Sequence, residues 1–179
     1  MLARIRFWRN VDRLGPDIPY THWRLYFPKL MKNLGKRLFD QFGSGAEFRP
    51  GAYAVACKKI SIGSNVIIRP GSMLFADPGE QKAGRIDIED DVMIGSGVHI
   101  YVTNHRFEDP HVPLINQGDA PTQNVLLKNG CWVGANSIIL PGVTIGANTV
   151  IGAGSIVTKS IPDRVIAAGN PAIIIRKLA

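Results

Sequence analysis

The sequence is short of cysteine, of long apolar runs and, over its first fifty residues, of acid. Its 179 residues hold two cysteines, Cys57 and Cys131, which make neither a disulfide framework nor a paired-thiol metal site. Cys131 falls where small residues recur, so a buried, reduced, structural role is expected of it. No apolar stretch approaches the ~18 residues of a membrane span, and no apolar run of signal-peptide length follows the basic start. Neither secretion nor a membrane span is indicated, and the cytoplasm is the expected compartment.

The shortage of acid is local. Residues 1–50 carry ten Lys plus Arg against four acids, a net of +6, and residues 51–179 carry eleven against ten, a net of +1. The basic excess belongs to a leader, which argues against a nucleic-acid binder, whose basic surface would be part of the main domain. In that leader the first fourteen residues place Leu2, Ile5 and Trp8 among four arginines, a pattern that fits a short amphipathic helix before the Gly15–Pro16 breaker. A second helix is expected from Pro28, a residue suited to a first turn. It would set Leu30, Met31, Leu34, Leu38 and Phe42 on one side, Lys29, Lys32, Lys36 and Arg37 on much of the other, and end at Gly43. Two uses of residues 1–46 follow. The segment can cover the open end of the domain behind it, or present a basic amphipathic surface to the inner face of a membrane or to a membrane-bound partner enzyme.

What the sequence has in abundance is a period of six. From Val125 to Thr158 it reads VLLKNG, CWVGAN, SIILPG, VTIGAN, TVIGAG, SIVT, with aliphatic reference residues at Leu127, Val133, Ile139, Ile145, Ile151 and Val157. The same phase holds at Ile62, Ile68 and Leu74 and at Ile88, Ile94 and Ile100, and the residue two places earlier is always small or β-branched. Six is neither the period of a helix nor the alternation of a half-buried strand; it is the hexapeptide period of a parallel β-helix. An all-β domain over residues 47–179 is therefore expected, with three hexapeptides per coil. Glycine follows the reference residue at Gly63, Gly95, Gly134, Gly146 and Gly152, where a corner is expected to use its conformational freedom and its missing side chain. Handedness does not follow from spacing.

Two interruptions break the phase. Leu74 to Ile88 is fourteen residues, read as two hexapeptides plus a polar corner loop, DPGEQKAGR. Ile100 to Leu127 is twenty-seven, against twenty-four for four repeats, and its YVTNHRFEDPHVPLINQGDAPTQN lacks the repeat signature. A long excursion from a rigid scaffold is a frequent place for a binding or catalytic residue.

From about residue 60 to 176 the chain resembles the hexapeptide-repeat acyltransferases, and most closely their sugar O-acetyltransferase branch, which includes the maltose and galactoside acetyltransferases. The repeats carry the likeness, with TNHRFEDP, CWVGANSIILPGVTIGANTVIGAGSIVTKSIP and the closing AAGNPAIIIRK. The resemblance implies a left-handed parallel β-helix, a homotrimer, and an acetyl-CoA site in the groove between neighbouring subunits. It makes His105 the general base, since a sugar hydroxyl needs one at neutral pH, and the backbone amide of Ala135 the oxyanion donor. Acetyl-CoA contacts carry over to Ala135, Ala153, Thr158, Lys159 and Arg176. Gly142, Ala147, Gly152, Ala153 and Gly154 are expected to leave an edge bare enough for a pantetheine arm, and Trp132 to point outward into the groove. Asp77 and His111 are candidate acceptor contacts.

The implied activity is acetyl-CoA-dependent O-acetylation of a sugar or of a polysaccharide or lipopolysaccharide precursor. An amino-sugar N-acetyltransferase and a non-catalytic scaffold of the same fold stay open. A serine acetyltransferase is disfavoured by the short leader. A three-histidine metal site at His99, His105 and His111 is disfavoured too, because residues six apart fall on successive faces of a triangular coil and cannot converge. No metal is expected.

Overall fold

The aliphatic residue of every hexapeptide turns inward. In the computed structural model, which describes residues 2–79 and 83–178, all twelve reference residues are at most 2% exposed, and the small or β-branched residues two places earlier are buried with them. Alternation along each short strand puts these two side chains in the core and the residue between them on the outside. Each inward aliphatic contributes about 1.5–3 kcal/mol of burial, realised only because the coils above and below cover it.

The strands form three sheets. The first face carries Tyr53–Val55, Met73–Phe75, His99–Tyr101, Ile138–Ile139 and Ile156–Val157; the second carries Gln41–Phe42, Ile60–Ile62, Ile86–Ile88, Val125–Leu127 and Thr144–Ile145. The third carries Glu47–Phe48, Ile67–Ile68, Met93–Ile94, Trp132–Val133, Val150–Ile151 and Val165–Gly169. All of these pair in parallel and in register, so that Ile62, Ile88, Leu127 and Ile145 form one column. The result is a triangular parallel β-helix. Its first coil opens at Gln41–Phe42, ahead of the boundary expected at residue 47.

The corners divide two tasks that the sequence reading gave to one glycine. The left-handed conformation falls three places after the reference residue, at Asn65, Gly71, Asp91, Gly97, Gly130, Asn136, Gly142, Asn148 and Gly154, types that tolerate it. The glycine directly after the reference residue is needed for its missing side chain instead. A Cβ on Gly134 would lie 2.5 Å from the backbone nitrogen of Ala153 in the next coil. Where the small inward position is polar it bonds to a corner carbonyl, as Ser72 Oγ does to Gly95 O at 2.8 Å and Ser137 Oγ to Gly152 O at 3.1 Å.

Both interruptions leave from the same corner, between the first and second faces. Leu74 and Ile88 are consecutive reference residues of one coil, as are Ile100 and Leu127 of the next. The insertions are therefore longer than the arithmetic of whole repeats suggested, and they stack on each other. Of the first loop, Glu80, Gln81 and Lys82 lie outside the described residues.

The ends are closed. Helices α1 (Leu2–Asn10), α2 (Pro19–His22) and α3 (Pro28–Leu38) form the leader. Leu25, Met31, Leu34 and Phe39 join Phe42 and Phe48 in the core cluster, which covers the first coil as expected. α3 stops at Leu38 rather than at Gly43, because Phe39 turns to an extended backbone, and Leu30 is exposed instead of sharing the buried side. On α1, Ile5 and Trp8 are half-buried, and the side chain of Leu2 lies outside the described residues. At the far end Ala172–Lys177 folds back antiparallel on Val165–Gly169. Among the described residues no helix is long and apolar enough to cross a membrane.

Candidate functional site

The stacked interruptions build a cleft on their shared corner. The long excursion is a flattened loop whose two arms are held together: Ala120 N donates to Asn104 O at 2.8 Å, Arg106 N to Gly118 O at 2.9 Å and Thr103 Oγ1 to Ala120 O at 3.0 Å. This short antiparallel contact sets His105 opposite Asp119. Nδ1 of His105 lies 2.8 Å from Oδ1 of Asp119. An ionised carboxylate only accepts, so Nδ1 carries the hydrogen, and the neutral form of the ring has its lone pair on Nε2. The ring is thus oriented by Asp119, a residue that the repeat pattern does not single out. The only signal was a Gly-Asp pair at the far end of the excursion, fourteen residues on, with no period to bring it back.

His105 and Asp119 border a cavity of about 450 Å³. Its wall is apolar, made of Val55, Phe75, Tyr101 and Leu140, with the Phe75 and Tyr101 rings stacked at 5.1 Å. Asp77 and Thr103 add polar groups to its lining. Asp77 is not the solvated side chain that a loop position suggests: its side chain is 16% exposed and pairs with Lys59 Nζ at 3.2 Å. It also lines a neighbouring cavity with Arg106 and Asp119. The first acceptor candidate and the base candidate therefore share one pocket, whereas His111 is exposed on the excursion and does not line it.

The coenzyme candidates fall on more than one edge. Trp132 is 47% exposed on the third face, and with Ala135, Met93 and Arg69 it borders a groove of about 390 Å³. Ala153 is stacked one coil beyond Ala135, whose carbonyl accepts from Gly154 N at 2.8 Å. Thr158, Lys159 and Gly142 instead lie at the corner between the first and second faces, on the side of His105. The expectation that Gly142, Ala147, Gly152, Ala153 and Gly154 line one bare edge is corrected: successive hexapeptides turn successive corners, so these residues are spread over three. Gly142 is further covered by Gln123, whose Oε1 occupies the space of its absent side chain. Arg176 is exposed on the closing strand, with Nη1 donating to Lys177 O at 3.2 Å. Within one chain the His105 edge and the Ala135 edge are separate corners of the triangle.

The remaining histidines and the cysteines take other roles. His99 bonds to the hydroxyl of Tyr101 at 3.1 Å on the outer side of the first face. Among the described residues no group of three His, Cys, Asp or Glu side chains is placed to hold a metal ion. Both cysteines are buried and free. Burial pushes both thiols up, that of Cys131 to about 12, which removes them as nucleophiles at neutral pH.

Residues 124–159 match the family model described as bacterial transferase hexapeptide (six repeats). The galactoside O-acetyltransferase of Escherichia coli (strain K12) is 36% identical over 147 residues, 82% of this chain and 68% of that protein. Among solved structures, a galactoside acetyltransferase in complex with coenzyme A superposes with a TM-score of 0.72 at 31% identity, covering 89% of this chain and 80% of that one. A maltose O-acetyltransferase from Clostridium difficile 630 does so with a TM-score of 0.73 at 28% identity, covering 89% and 85%. The β-helix is accordingly left-handed, and the chain belongs to the hexapeptide-repeat acetyltransferases, in the branch of the sugar O-acetyltransferases.

Proposed function

We propose that this acetyltransferase moves an acetyl group from acetyl-CoA directly to a hydroxyl of a sugar or of a polysaccharide or lipopolysaccharide precursor, with His105 as general base. The observation that carries the reading is the 2.8 Å contact that leaves Nε2 of His105 free at the border of the cavity lined by Asp77. Nε2 takes the hydroxyl proton while the acceptor oxygen bonds to the thioester carbonyl carbon. The amide of Ala135 donates to the oxygen that becomes negative. The carbon–sulfur bond then breaks, and the imidazolium returns its proton to the departing thiolate. No side chain is acylated, in keeping with two inert cysteines.

The separation of the two edges supports a homotrimer in which the His105 corner of one subunit faces the Ala135 corner of the next. The outward row of the third face is apolar on coil after coil, through Ile67, Met93, Trp132, Val150 and Ile166. Ile173, Ile174 and Ile175 on the closing strand are exposed as well, as are Phe107, Leu114 and Ile115 on the excursion. Such surface is what an obligate subunit contact covers. Acetyl-CoA would lie between subunits along Trp132, Ala135 and Ala153, and Lys159 and Arg176 are cations able to meet its phosphates. The relatives' names, galactoside and maltose, support a sugar hydroxyl as acceptor.

The test is release of CoA measured against a panel of sugars, nucleotide sugars and amino sugars. His105→Ala is expected to lower kcat by about 10²–10⁴ with CoA affinity retained. A variant with near-normal kcat overturns the assignment.

A further inference from the structure

The leader has a second face that covering the coil does not use. Thr21, Leu25, Met31, Leu34 and Phe39 are buried over the first coil, while Trp23, Tyr26, Phe27 and Leu30 point away from it and are 49%, 66%, 54% and 37% exposed. They are one patch: the Trp23 and Phe27 rings meet edge to face at 6.1 Å, and Tyr26 to Leu30 is exposed without a break. The patch is rimmed by positive charge. No Asp or Glu occurs between Asp17 and Asp40, and among the described residues no ion pair takes up Arg24, Lys29, Lys32, Lys36 or Arg37. The Arg24 guanidinium lies over the rings of Trp23 and Tyr20.

We infer that this face docks the protein on an anionic lipid surface. Trp and Tyr rings settle at the headgroup level, where an apolar body and a polar tip are both satisfied. Lysines and arginines beside them are drawn by the negative potential of acidic lipids. The segment is too short to span a bilayer and lies flat against the coil beneath it, so it rests in the interface. The occupant is lipid rather than a second copy, because two such faces would set five cations against five.

Sedimentation of the full chain with vesicles of phosphatidylcholine alone, and mixed with phosphatidylglycerol, tests this. Pelleting is expected only with the mixed vesicles, at low salt, and release at high salt. Lys29→Ala/Lys32→Ala/Lys36→Ala alters exposed side chains alone and is expected to lower the partition coefficient about a hundredfold with Tm unchanged. Tyr26→Ser/Phe27→Glu is expected to abolish pelleting with the coil intact. Three results overturn the inference: no pelleting of the wild type with mixed vesicles, equal pelleting with neutral ones, or a change of oligomeric state in Tyr26→Ser/Phe27→Glu, which would make the face a contact between copies.

Discussion

Asp119 holds His105 from the opposite arm of the same loop, Oδ1 to Nδ1 at 2.8 Å, although both side chains are mostly exposed in the single chain. Exposure means the pair adds little to stability; in the proposed mechanism its role is to choose the tautomer and aim the ring. Asp119→Asn can present an amide N–H to Nδ1 and so reverse the tautomer. Its kcat is expected to fall on the order of 10²-fold, with Tm and the KM for acetyl-CoA unchanged. Equal kcat in wild type and Asp119→Asn would show that the pair is incidental.

Gly95 tests the proposed oxyanion donor without touching it. A Cβ at Gly95 would lie 2.6 Å from the backbone nitrogen of Ala135 and 2.9 Å from its Cα, and backbone cannot swing aside as a flexible side chain can. Gly95→Ala is expected to displace that amide and reduce kcat about 10²- to 10³-fold, the usual cost of losing one such donor. A crystal structure showing Ala135 in place with kcat intact would remove the amide from the mechanism.

The core was legible because its signal is local: an aliphatic residue every sixth place needs no knowledge of what lies across the coil, and each of those residues is buried. The candidate site was legible only in part. His105 follows from the excursion and from the family motif, but Asp119 reaches it through the loop's own hydrogen bonds, which leave no period in the sequence. Spacing shows that corners recur, not which of three corners each residue turns, so it does not separate Gly142 from Ala153. Leu74 and Ile88 show the same limit. Reading fourteen residues as two hexapeptides hid that they are neighbours in one coil, and with it the stacking of Asp77 beside His105.

The Lys59–Asp77 pair separates a structural role from an acceptor role. At 18% and 16% side-chain exposure, the two charges depend on each other at 3.2 Å. Removing one alone costs more than replacing both with apolar residues of similar size. Asp77→Leu is expected to lower Tm and weaken the acceptor, while Lys59→Met/Asp77→Leu recovers most of the Tm. If Asp77 also contacts the acceptor, the double variant keeps a KM for the sugar raised about tenfold. Full recovery of KM along with Tm would leave Asp77 a structural role only.

His22 ties the leader to the first coil in a way that depends on pH. Nε2 accepts from Gly51 N at 3.3 Å, and Nδ1 is buried with no partner among the described residues. Burial lowers its pKa below 6.5, against a smaller opposing pull from Asp17. The unfolded chain therefore binds the proton more readily than the folded one. The stability contributed by neutral His22 is complete above pH 6.5 and is lost as pH falls from there through the lowered folded value. His22→Gln can still accept from Gly51 but does not titrate. Its denaturant midpoint is expected to lie below that of the wild type well above pH 6.5, and the gap to narrow as the pH falls. Parallel midpoints at every pH would show that His22 does not govern the acid sensitivity of this junction.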